Sequence, residues 1–173
     1  MRLILNGHDD VAFERVVNIP PRGIGERTVD AVREHARNIS ISMWSAAKAM
    51  IVDKNLNTRS ANALAAFLNL INEMTNTLEA LPLSELAENS IEMSGLIEMH
   101  RREKGERGQS RVENLEELVG ACKNFTPESI DTPVLAQFLD QVSLEAGERQ
   151  ANEDQDAVQL MTLHSAKGLE FPL

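Results

Sequence analysis

The sequence predicts an all-α fold, and three observations carry that prediction. Apolar residues recur at i, i+3, i+4 and i+7 in segment after segment. Ser, Thr, Asp and Asn stand just ahead of several of these stripes, where a helix start uses a side-chain cap. β-branched residues rarely cluster before residue 157, and aromatics are few, with one tryptophan, five phenylalanines and no tyrosine. At 173 residues, 42% hydrophobic and 25% charged, the chain is long enough to bury one real core.

The first expected helix covers Asp9 to Asn18, with Val11, Ala12, Phe13, Val16 and Val17 as its apolar residues and Asp9 or Asp10 as its N-cap. Pro20 and Pro21 end it, because proline has no amide hydrogen and restricts the residue before it. A second helix starts near Gly25-Glu26 and runs through Val29, Val32 and Ala36 towards Ile39. Ser42 caps a third through Trp44, Ala47 and Met50. The longest stripe, from Ala63 and Leu64 through Phe67, Leu70, Ile71 and Met74 to Leu78, follows Thr58 or Ser60 and closes at Leu81-Pro82. Ser84 opens a helix to about Met93, which Gly95 breaks ahead of Leu96, Ile97 and Met99. Arg101 to Ser110 is polar with two glycines and reads as an exposed loop. Ser110 then caps the stripe Val112, Leu115, Leu118, Val119 and Cys122, with Glu113 completing a capping box. Val134 to Val142 makes the last amphipathic helix.

Residues 145–156 carry no apolar stripe and read as a flexible acidic linker. Beyond it Val158, Leu160 and Thr162 alternate with Gln159, Met161 and Leu163, which suits a short buried strand, and the polar cluster His164 to Gly168 follows at once. A buried strand needs neighbours for its backbone groups, and no other segment offers them. The expected organisation is a helical domain over 1–144, a linker over 145–156 and the start of a second domain over 157–173.

Several function classes fall away on composition. No run of about eighteen apolar residues could span a bilayer, and Met1 to Leu5 leads into Asn6-Gly-His-Asp-Asp10 rather than a signal-peptide core. The expected compartment is the cytoplasm. Cys122 sits in a helical stripe as a small core residue, and the histidines at positions 8, 35, 100 and 164 lack metal-site spacing, so no disulfide and no metal are expected. The net charge of −10 opposes nucleic-acid binding by the chain as a whole. Its distribution qualifies this. Residues 1–40 hold six arginines against six acids, so all of the net negative charge lies in 41–173.

The neutral head contains Arg22-Gly-Ile-Gly-Glu-Arg-Thr28 between two amphipathic helices. Gly23 and Gly25 let the turn take positive φ and let a backbone come close, while the following helix offers unpaired N–H groups and a positive dipole end to a phosphate. Ile24 can pin the turn to the core. Arg22 and Arg27 flank the site, and the Thr28 hydroxyl adds a third polar group. Such contacts would position DNA without reading its sequence, and the alternative reading of Gly-Ile-Gly is a tight turn between packed helices and nothing more. Glu26 competes with any anion for the same N–H groups.

Three strings carry a family resemblance. Leu160-Met-Thr-Leu-His-Ser-Ala-Lys-Gly-Leu-Glu-Phe171 resembles motif V of superfamily 1 DNA helicases of the UvrD/Rep type. The Gly23-Ile-Gly25 turn resembles the helix-hairpin-helix of their 2B subdomain, which sits against the duplex ahead of the fork. Lys104-Gly-Glu-Arg-Gly-Gln-Ser-Arg-Val-Glu-Asn-Leu-Glu-Glu-Leu118 resembles a third stretch of the family. The order of hairpin, helices, linker and motif V also agrees. The resemblance implies an all-helical 2B-like subdomain running into a truncated α/β motor domain. It implies duplex contacts at Arg22, Gly23, Ile24, Gly25, Arg27 and Thr28. In the parent enzyme it implies that Thr162 and His164 lie along single-stranded DNA, and that Gly168 and Glu170 approach the nucleotide.

No Gly-x-x-x-x-Gly-Lys-[Ser/Thr] phosphate loop and no paired acidic strand end for magnesium occur in the sequence. The chain alone is therefore expected to have no ATPase or helicase activity, no catalytic residues and no cofactor. ATP and Mg2+ belong to the parent 3′-to-5′ helicase, for which DNA repair or replication follows from the resemblance. Its expected partners are duplex DNA, bound weakly, and the missing motor domains. The alternative is a protein-interaction module that docks a repair or replication partner through its acidic helices.

Overall fold

The computed structural model describes residues 1–103 and 105–148. Every regular element among the described residues is an α-helix: α1 (Arg2–Leu5), α2 (Asp10–Val16), α3 (Glu26–Asn38), α4 (Met43–Val52), α5 (Thr58–Asn76), α6 (Leu83–Ser94), α7 (Leu96–Arg101), α8 (Glu106–Asn124) and α9 (Val134–Glu148). The expected strand at 157–163 lies outside the described residues, as does linker segment 149–156. The first four residues assigned to that linker, 145–148, instead complete the last turn of α9. The chain divides into two compact units, Met1–Phe138 and Leu139–Leu173.

Within the first unit the large core is built from α1 to α5. α3 and α2 pack on α4, and α4 and α1 pack on α5. Phe13 and Phe67, each 1% exposed, meet edge to face with centroids 5.5 Å apart at its centre. Such a pair adds about 1 kcal/mol beyond the area it buries. A second cluster lies where α6 packs on α8: Ala87 and Cys122 are buried there with Phe138, whose ring meets Phe125 edge to face at 5.4 Å. Burial pushes the Cys122 thiol pKa up, which suits a packing residue better than a nucleophile.

Helix starts show where side-chain chemistry decides and where it does not. Asp9 accepts from the Ala12 amide at 2.8 Å and Ser42 from the Ser45 amide at 3.3 Å, the caps their spacing implies. The α5 cap is Asn57, whose side chain accepts from the Ser60 amide at 2.9 Å, so Thr58 and Ser60 fall inside the helix. α6 starts behind Pro82, one residue before Ser84. Gly95 ends it in the left-handed region at φ 79°.

Two short helices, α1 and α7, lack the length for a readable period, and burial of Leu3 and Ile4 beside α5 holds the first. The stretch expected to be a loop from Arg101 to Ser110 is shorter than that. α8 begins at Glu106 behind Gly105, so Ser110 is an exposed residue inside the helix, and Glu113 accepts from Gln109 Nε2 at 3.0 Å instead of completing a capping box. The cause is Gly108. A Cβ there would stand 2.4 Å from the His100 carbonyl oxygen, so its absence lets the first turns of α8 press against the end of α7.

Candidate nucleic-acid interface

The turn between α2 and α3 is held from inside. Arg22 Nη1 donates to the carbonyls of Val16 at 3.0 Å and Pro20 at 2.9 Å, and Nη2 donates to the Ser94 carbonyl at 3.2 Å. The same guanidinium lies 5.5 Å from the centroid of the Phe67 ring, and its backbone N–H donates to Asn18 Oδ1 at 2.8 Å. Partial burial pulls the Arg22 pKa below its ordinary value. Guanidinium geometry explains the choice of residue, since a planar fork of donors reaches several carbonyls and an aromatic face at once. Arg22 thus ties α2, the turn, the end of α6 and the core together, and its donors face protein.

Ile24 is 1% exposed and belongs to the large core, so it pins the turn as its position implies. Thr28 is also buried: its hydroxyl donates to Ser60 Oγ at 3.1 Å, which joins the first turn of α3 to the first turn of α5. Of the three polar side chains expected at a phosphate, two therefore point into the protein. Arg27 is the third; it is exposed and makes no ion pair among the described residues.

The glycines face the other way. Gly23 takes φ 77°, the left-handed region that favours glycine. Gly25 is the N-cap of α3 with φ −72° and ψ 159°, and no side chain caps the helix behind it. A Cβ added at either glycine would meet nothing within 4 Å. The N-terminus of α3 is therefore open, whereas α2, α4 and α5 in the same cluster each carry a side-chain cap.

The hydrogen bond from Thr28 to Ser60 joins the starts of α3 and α5, and sequence reading gave no site role to the two exposed residues that precede Ser60 on α5, Thr58 and Arg59. Nothing in the local pattern of α5 marks them; only the tertiary pairing of two helix starts does. Arg33, by contrast, is tied to Glu14 and Asp30, which raise its pKa. Thr162, His164, Gly168 and Glu170 lie outside the described residues. Among the described residues no cluster of three His, Cys, Asp or Glu could hold a metal ion, and no helix is long and apolar enough to cross a membrane.

Residues 1–173 match the UvrD-like helicase C-terminal domain family. The chain is 51% identical over 174 residues to DNA helicase II of Escherichia coli (strain K12), an alignment covering 99% of this chain and 24% of that protein. DNA helicase II of Haemophilus influenzae is 47% identical over the same shares. ATP-dependent DNA helicase PcrA of Bacillus subtilis (strain 168) is 35% identical over 179 residues, covering 100% of the chain and 24% of the relative. The chain spans about a quarter of the length of these relatives. With the family matched from end to end, the chain belongs to the UvrD-like helicase C-terminal domain family, among relatives of the UvrD/Rep type of superfamily 1 helicases.

Proposed function

We propose that residues 1–144 are the 2B subdomain of an ATP-dependent 3′-to-5′ DNA helicase and that the α2–α3 turn is a helix-hairpin-helix resting on the duplex backbone. The open, uncapped start of α3 behind Gly25 carries this reading. A phosphate oxygen placed there would meet the free N–H groups of the first turn and the positive end of the helix dipole. Arg27 adds one mobile cation, and Arg59 and Thr58 extend the surface on the neighbouring helix start. Arg22, Ile24 and Thr28 serve the same contact indirectly, by fixing the turn from behind.

Contacts of this kind carry no base information, so binding is non-specific and depends on salt. Affinity for the isolated chain falls at or beyond the weak end of about 10⁻⁴ M, because few phosphates are touched and the rest of the molecule is acidic. ATP, Mg2+, the single-strand contacts of Thr162 and His164 and the nucleotide contacts of Gly168 and Glu170 belong to the longer helicase, in which residues 157–173 open the second motor domain. The duplex contact would regulate unwinding there.

Gly25→Leu tests the contact. Its φ is ordinary and the space before it is empty, so a leucine fits the fold and obstructs only what approaches from outside. Duplex binding at low salt, read by fluorescence anisotropy, should fall while the helical circular-dichroism signal stays. Equal binding by both forms would sink the hairpin reading.

A further inference from the structure

α6, α7 and α8 enclose a groove of about 500 Å³, whose end at Gly95 adjoins the hairpin turn at Pro20. Its floor is apolar, formed by Ile91, Ile97, Leu115 and Val119. On α6 the lining residues Glu88, Ile91, Glu92 and Gly95 follow the i, i+3, i+4, i+7 spacing of a single helix face. Leu115 and Val119 on α8 repeat the i, i+4 step. The groove is thus a furrow between helix ridges, with α7 at its end. At about 1.5 Å per residue, Glu88 to Gly95 give it a wall roughly 11 Å long, which matches about two turns of a docked helix.

The rim is predominantly acidic. Glu88, Glu92, Glu98 and Glu116 line it and are all exposed, and among the described residues Arg101 is the one cation that lines it. Arg102 reaches Glu98 at 3.6 Å, and among the described residues no ion pair involves Glu88, Glu92 or Glu116. The helices that build the groove lie in the part of the chain that holds all of its net negative charge. Such a rim repels a phosphate backbone and attracts a cationic partner.

We infer that this groove docks a basic amphipathic helix of a partner protein, its apolar residues on the Ile91, Ile97, Leu115 and Val119 floor and its lysines or arginines against the glutamate rim. An apolar furrow between helices receives an amphipathic helix through anchors at i, i+3, i+4 and i+7, and the charged rim fixes orientation and partner choice. The site lies on helices other than those of the duplex-facing turn, so one chain can engage DNA and a protein together. The inference does not rest on the hairpin.

The test uses the 173-residue chain and a fluorescein-labelled helical peptide of about four turns, with leucine at i, i+3, i+4 and i+7 and lysine on the flanks. Saturable binding that weakens with added salt is expected. A peptide with glutamate in place of each lysine should bind about tenfold more weakly or worse, and the Glu92→Lys/Glu116→Lys double variant should lose about as much for the lysine peptide. Gly25→Leu should bind the lysine peptide as the unmodified chain does, which separates this result from that of the duplex experiment. Equal binding of both peptides, or unchanged binding by a double variant with an intact helical spectrum, overturns the inference. So does sedimentation showing that the chain dimerises and that the double variant abolishes the dimer, since a second copy would then be the occupant.

Discussion

Arg22-Gly-Ile-Gly25 and Gly105-Glu-Arg-Gly108 are alike on paper, each a charged turn with two glycines at the head of a long helix. The structure uses them in opposite ways. At Gly108 the missing side chain is replaced by protein, with the His100 and Glu103 carbonyl oxygens 2.4 and 2.9 Å from where a Cβ would stand. At Gly23 and Gly25 it is replaced by nothing within 4 Å. One glycine is explained by packing alone. The other two leave open space at the start of a helix, and packing gives no reason for it. Gly105, at φ 85° with nothing within 4 Å of an added Cβ, is open like the hairpin pair, so the contrast separates Gly108 from Gly23 and Gly25 and not one whole string from the other.

The comparison is broken hardest from beneath. Ile24 is the pin of the open turn, and Ile24→Ala should destabilise the chain by about 3 kcal/mol, within the range for truncating a fully buried aliphatic side chain. A urea titration followed by circular dichroism measures it. A loss below about 1 kcal/mol would mean that the turn is not anchored through this residue. Next comes Gly108→Ala. Alanine is intrinsically better than glycine in a helix by up to about 1 kcal/mol, but here its methyl must displace backbone, so a net loss of about 2 kcal/mol is expected. At temperatures where the variant remains folded, duplex binding should be unchanged.

Arg22→Lys sharpens the contrast from the other side. An ammonium keeps the charge but cannot reach the Val16, Pro20 and Ser94 carbonyls together or lie flat over Phe67. Stability should drop by about 1–2 kcal/mol as carbonyls lose their donors. If Arg22 instead met phosphate directly, lysine would serve nearly as well and stability would hardly move.

Helix positions were legible from residues 9 to 142 because the 3.6-residue period survives in each long segment, and the caps at Asp9 and Ser42 and the stop at Gly95 are local events. What sequence could not show was tertiary. The α8 start depends on a carbonyl of α7 lying against Gly108, and the four-residue α1 depends on burial beside α5. At the site, the glycines and the inward Ile24 follow from turn chemistry. The inward direction of Arg22 and Thr28 does not, because their partners Ser94 and Ser60 lie 72 and 32 residues away. A guanidinium and a hydroxyl made Arg22 and Thr28 look like ligands of phosphate, while the fold uses both as internal braces.

The smallest expected effect lies at the packed glycine string. Glu103 faces His100 Nδ1 at 2.8 Å and accepts from Arg111 Nη1 at 2.8 and 3.0 Å, and these partners, His100 foremost, hold its pKa below the usual carboxylate range. A depressed native pKa means that the folded state binds the proton less readily than the unfolded chain. The stabilisation is therefore complete above the usual carboxylate range and is lost as pH falls through the depressed value. Glu103→Gln removes the ionisable group while keeping its shape. The urea midpoint of the unmodified chain should exceed that of the variant at neutral pH, and the two should converge as pH falls below the usual carboxylate range. A constant difference across that range would show that the carboxylate charge contributes nothing to the α7–α8 junction. The close approach at Gly108 would then stand on packing alone.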